Sequence, residues 1–165
     1  MKCTICDKEI AKGESVFPFP KLPETHKYSF LHGMNHVRCI RDHEKVEDIG
    51  KELANICSDI FNQSSEYPVV INNDRILIQN REPDECVLIY NFKDFVQFHI
   101  PYSQIEHVKN LKVGSKLPLG ISKLISLEVL EDSCLFLEQR TPFTRTDMPS
   151  LKLDELKLLL EKLPN

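Results

Sequence analysis

Two short stretches carry the residue types that bind metal ions. Cys3-Thr-Ile-Cys6 places two thiols three positions apart, and His36-Val-Arg-Cys39 repeats that spacing with an imidazole and a third thiol. The first spacing lets a tight turn aim two sulfurs at one point. The second sets its side chains at i and i+3, where they are neighbours on one helix face. Three thiolates and one imidazole make a closed tetrahedral set, suited to one structural Zn2+. A catalytic zinc keeps one position open for water, and these residues fill all four. A redox C-x-x-C is expected after a strand in a βαβ unit, whereas this pair stands within the first six residues. The fourth ligand stays open between His36, His32 and His43, since Cys39 and His43 also share a helix face.

The elements that must position these groups fall into three parts. Residues 1–34 are short and rich in Pro and Cys, with strands expected at 15–19 and 28–31. The intervening PKLPETHK cannot be helical, because Pro20 and Pro23 lack donors and restrict the residues before them. Residues 35–62 read as a helix with Asn35 as its N-cap. Val46, Ile49, Leu53, Ile56 and Ile60 form one apolar stripe on it, and Gly50 inside that stripe suggests a kink. The polar NQSSE at 62–66 marks a boundary, giving modules at 1–62 and 67–165.

After residue 67 the apolar period becomes that of strands. These are expected at 68–71, 75–79, 86–90, 96–100, 124–130 and 134–139. The runs around Val87, Ile89 and Phe136 are too apolar for a sheet with one wet face, so both faces should be covered. TPFTRTDMPS reads as a loop. Residues 151–163 read as an amphipathic helix with Leu153, Leu156, Leu160 and Leu163 on one stripe. The fold class is α+β.

Composition narrows the function. Of 165 residues, 41% are hydrophobic and 28% charged, enough apolar material for one real core. A net charge of −4 argues against broad, sequence-independent nucleic-acid binding, which needs a basic face. No apolar run is long enough to span a membrane, and MKCTICDKE lacks the apolar core of a signal peptide. Reduced thiols in the cytoplasm follow as the expectation. Cys57, Cys86 and Cys134 sit in apolar runs and read as core residues.

Lys109, Lys112, Lys116 and Lys123 lie in a stretch without any acidic residue, a candidate site for an anionic ligand that also fits a solvated face. His99 and His107, near Tyr102 and Glu106, come without a nucleophile or oxyanion donors. Arg140 and Arg145 flank the TPFT loop, and Asp42, Glu44, Glu47, Asp48 and Glu52 give the long helix an acidic face.

The order of knuckle, hairpin and ligand-bearing helix resembles the treble-clef zinc finger, and C-x-x-C followed by H-x-x-C is similar to the first half of a LIM domain. The likeness covers residues 1–45, without a second finger and with 29 residues between Cys6 and His36. Some treble clefs are His-Me nucleases, but His26 and His32 stand upstream without the further Asp, Asn or His that such a site requires. The later chain resembles bacterial PH-like or GRAM-like domains in the turn before Arg75-Ile76-Leu77-Ile78, the phrase Ile100-Pro101-Tyr102-Ser103-Gln104-Ile105, the late strand pairs and the terminal helix. That resemblance implies a bent antiparallel barrel capped by a helix, serving as a platform for lipid headgroups or protein segments.

Together these features point to a zinc-stabilised, non-catalytic protein that binds another protein, with an immunity-type or antitoxin inhibitor as one form. The alternative is a nucleic-acid- or phosphate-binding protein, including a His-dependent nuclease.

Overall fold

The strand-period half of the chain forms two four-stranded antiparallel sheets in the computed structural model, which describes residues 1–164. The N-terminal part contributes a hairpin, β1 (Val16–Phe19) with β2 (Gly33–His36), then helices α1 (Val37–Arg41) and α2 (Val46–Phe61). Strands β3 (Val69–Asn73), β4 (Ile76–Arg81), β5 (Cys86–Asn91) and β6 (Val96–Pro101) make the first sheet as a simple meander. After α3 (Ile105–Lys109), β7 (Lys116–Leu119), β8 (Ile125–Val129), β9 (Cys134–Arg140) and β10 (Phe143–Lys152) make the second. Helix α4 (Leu153–Glu161) follows.

The α+β class stands, but the strands do not close into a barrel. Among the described residues no strand of one sheet is paired to a strand of the other. Four local expectations also change. The single helix expected over 35–62 is two, broken at residues 42–45. Asn35 is not its N-cap but a fully buried residue of β2, whose amide donates to the Leu31 carbonyl at 2.8 Å and whose oxygen accepts from Thr4. The stretch 28–31 is a 3-10 turn at Ser29–Leu31, with Tyr28 and Leu31 turned into the core. TPFTRTDMPS is largely the edge strand β10, paired with β9 from Phe143 to Met148.

Alternation along β4 explains why its sequence is apolar throughout. Ile76 and Ile78 point into a core with Ile89, Phe98 and Ile100, with Leu127, Val129 and Leu135 of the second sheet, and with Leu153, Leu156, Leu159 and Leu160 of α4. Leu77 points the other way, into a core with Phe17, Leu31, Val37, Ile40, Ile49 and Leu53. The first sheet is therefore covered on both faces. Phe92 and Phe95 of the β5–β6 turn belong to this second core, and the Phe17 ring meets both edge-on at 6.2 and 5.6 Å.

Asp94, in the same turn, is 1% exposed. Its carboxylate accepts from Ser150 N–H at 3.0 Å, Leu151 N–H at 3.1 Å and the Asn91 amide at 2.8 Å. The two backbone donors lie where β10 bulges between Met148 and Lys152. Arg41 of α1 donates to the Asp94 carbonyl through Nε and Nη2, and to the Asp147 carboxylate at 2.6 Å. One turn thus joins α1 to β10. In the second sheet, the Gln104 amide donates to the Pro118 carbonyl and accepts from Gly120 N–H, both at 2.8 Å, along the open side of β7.

Gly50 is a packing requirement. A Cβ there would lie 2.5 Å from the Phe92 carbonyl oxygen and 3.1 Å from Arg75 Cδ. Alanine gains about 1 kcal/mol in helix propensity. The clash is with backbone and forces α2 off the β5–β6 turn, at a cost of about 1–3 kcal/mol. Gly50→Ala is therefore expected to lower the urea midpoint, and a raised midpoint would refute this account of the glycine.

Candidate metal centre

The Cys3–Cys6 stretch is a knuckle held by its own backbone. Asp7 N–H donates to the Cys3 carbonyl at 2.9 Å, Cys3 N–H to Lys8 O at 3.0 Å, and Ile10 N–H to Met1 O at 2.9 Å. Thr4 N–H docks the knuckle on Met34 of β2, and Gly33, at φ +116°, keeps that face bare enough for Thr4 to approach. The opposite wall comes from the β2–α1 junction. His36 ends β2 with extended dihedrals, and Cys39 follows in the first turn of α1. The pair does not lie wholly on a helix, as i,i+3 spacing suggested, yet the bend brings both side chains to the knuckle.

The ligand atoms of Cys3, Cys6, His36 and Cys39 all lie within 4.8 Å of one another and can hold one metal ion. His36 Nδ1 is 3.5 Å from Cys6 Sγ and 3.7 Å from Cys39 Sγ. A tetrahedral ion with metal–sulfur bonds of about 2.3 Å and a metal–nitrogen bond of about 2.05 Å sets a sulfur–nitrogen separation near 3.6 Å. The two observed distances fall on either side of that value, so the imidazole stands from both sulfurs as such an ion requires, and the donor types suit it.

The electrostatics point the same way. Burial pushes the Cys3 thiol up, but backbone N–H groups of Cys6, His36 and Ile5 outweigh it and bring it down to about 6. His36 N–H itself donates to Cys3 Sγ at 3.4 Å. Cys39 is pushed up to about 11, first by burial and then by the Cys6 and Cys3 sulfurs beside it. A divalent cation beside Cys39 would offset both causes by favouring its thiolate.

Behind the imidazole, His36 Nε2 lies 3.0 Å from Glu14 Oε2. Glu14 is fixed by Ala11 N–H at 2.8 Å and by Arg38 at 3.1 Å. The Ala11 N–H, with His36 and Arg38, holds its carboxyl below the ordinary value against the opposing effect of burial. Sequence reasoning missed Glu14. Its contact arises from the β1–β2 register, which sets Val16 opposite His36, and no local motif announces that register.

The other singled-out residues lie elsewhere. His32 is exposed, and His43 Nδ1 accepts from Lys45 N–H at 3.1 Å, so neither joins the cluster. His26 accepts from Tyr28 N–H and faces Glu52 at 3.8 Å. Lys109 pairs with Glu106 at 2.7 Å and Lys116 with Glu138 at 2.9 Å, while Lys112 and Lys123 are exposed on either side of β7. Arg145 pairs with Glu128 at 3.0 Å and covers the Phe136 ring. All six cysteines are free, with Cys86 and Cys134 buried and Cys57 half-buried. Among the described residues no helix is long and apolar enough to cross a membrane. Compared with known proteins, the chain matches no family model, no curated protein and no solved structure.

Proposed function

We propose that the chain is a zinc-stabilised, non-catalytic binding protein of the reducing cytoplasm, acting on another protein. The carrying observation is the cluster of three sulfurs and one imidazole whose donor atoms all lie within 4.8 Å of one another. Four protein donors leave a zinc ion no position for water or substrate, which is the signature of structural sites. In this proposal residues 1–45 form a treble-clef finger, with the C-x-x-C knuckle and the start of α1 as its two ligand arms. In the same proposal residues 67–164 form a PH-like platform made of two stacked sheets and α4.

A protein partner is favoured over an anionic one because two of the four clustered lysines are already ion-paired. Beside α2, Phe30 is 57% exposed and packs near His43 and Tyr28 next to the acidic face, a combination suited to a basic, partly apolar partner surface. Elemental analysis of the purified chain is expected to give about one zinc per molecule, in keeping with one four-donor site. A pull-down from the native cell should recover a protein with the metal-loaded chain. Recovery of nucleic acid instead, or phosphodiester hydrolysis by the purified chain, would overturn the proposal.

A further inference from the structure

We propose that Glu14 is the positioning residue that commits His36 to the metal through Nδ1. The inference rests on the metal site above and assigns it a carboxylate outside the ligand set. An imidazole ligates through a nitrogen that carries no proton, so its other nitrogen must carry one. In His36 the nitrogen facing Cys6 and Cys39 is Nδ1, and the nitrogen facing Glu14 is Nε2. Nε2–H then donates to the Glu14 carboxylate across 3.0 Å. The His36 side chain is 2% exposed, which leaves the ring little freedom to turn and exchange the two nitrogens.

Glu14 is itself held in place. Ala11 N–H fixes Oε2, the oxygen that faces the ring, while Arg38 binds Oε1. Ala11 and Glu14 bracket the turn leading into β1, so the carboxylate is placed by the same strand register that places His36. A carboxylate on the outer nitrogen selects the tautomer, orients the ring and raises the basicity of the ligating nitrogen. Arg38 is 66% exposed, and an ion pair that wet contributes little, so pairing with Arg38 does not account for the position of Glu14.

The test is zinc affinity in the full chain, measured by competition with a chromophoric chelator for wild type, Glu14→Ala, Glu14→Gln and Arg38→Ala. Glu14→Ala is expected to lose on the order of 10–100-fold in affinity. Glu14→Gln keeps an oxygen that accepts from Nε2–H and should recover part of that loss, and it also serves should the alanine variant fail to fold. Arg38→Ala should stay within about fivefold of wild type. Long-range proton–nitrogen NMR of the zinc-loaded wild type should show the proton on Nε2 of His36. Glu14→Ala binding zinc within about twofold of wild type, or a proton on Nδ1, overturns the assignment alone. A wild-type chain that takes up no zinc overturns the metal site and this assignment together.

Discussion

Replacing Cys39 by Ser is expected to release the metal and unfold the N-terminal part of the chain. Structural zinc contributes an apparent 10–16 kcal/mol or so in small zinc-held modules, and a lost thiolate forfeits a large share of it. Here the loss does not stay local. Cys39 is flanked in α1 by Val37 and Ile40, both buried in the core shared with Leu77, Phe92 and Phe95. Arg41, two residues on, holds the Asp94 carbonyl and Asp147. When α1 melts, that face of the first sheet loses Val37 and Ile40 from its cover and keeps only part of its packing, from α2. The melting temperature should fall by more than about 10 °C, since a few kcal/mol shift it by several degrees each. A strong chelator added to wild type should reproduce the fall, and Cys57→Ser should not. A zinc-free Cys39→Ser chain melting at the wild-type temperature would sink the prediction.

Asp94→Ala is expected to be the most damaging substitution away from the metal. It strands the N–H groups of Ser150 and Leu151 and the Asn91 amide, all of which now bond to one buried carboxylate. Each charge-assisted bond of this kind contributes about 1.5–3 kcal/mol, so a total loss of roughly 4 kcal/mol is expected after relaxation. Asp94→Asn keeps one acceptor oxygen without the charge and should fall between the two. Chemical denaturation reads the difference. An alanine variant within about 1 kcal/mol of wild type would mean that water replaces the carboxylate at the bulge.

What could be read in the chain beforehand follows from where the information sits. The four residues of the cluster were legible because each pair is local, three residues apart, and sulfur and imidazole chemistry is distinctive. Most strands of the two sheets were legible from alternation, and so was the two-sided burial around Val87 and Ile89. The strands β7 and β10 were not, and β10 shows why. Its residues are mostly polar and half-exposed, and only Met148 and Leu151 are buried, so its conformation comes from pairing with β9 rather than from its own pattern. Asn35 misled for a related reason: an Asn before an apolar run reads as a cap, but tertiary bonds to Thr4 and Leu31 hold it in a strand. Asp94 carries no local signal in the sequence, because its main partners lie 56 and 57 positions away. Glu14 was hidden in the same way, 22 positions from the ring it supports.

The placement of Gln104 bears on a hazard common to sheets built from separate meanders. The exposed side of a terminal strand offers unpaired backbone groups that another molecule can add to, the first step of intermolecular sheet growth. On β7, Pro118 has no N–H to offer, and its carbonyl and the Gly120 N–H are both taken by one side-chain amide. With four residues and those groups occupied, β7 is a poor template for a second chain. Loss of Gln104 would leave the Pro118 carbonyl and the Gly120 N–H at this edge free to pair with another chain.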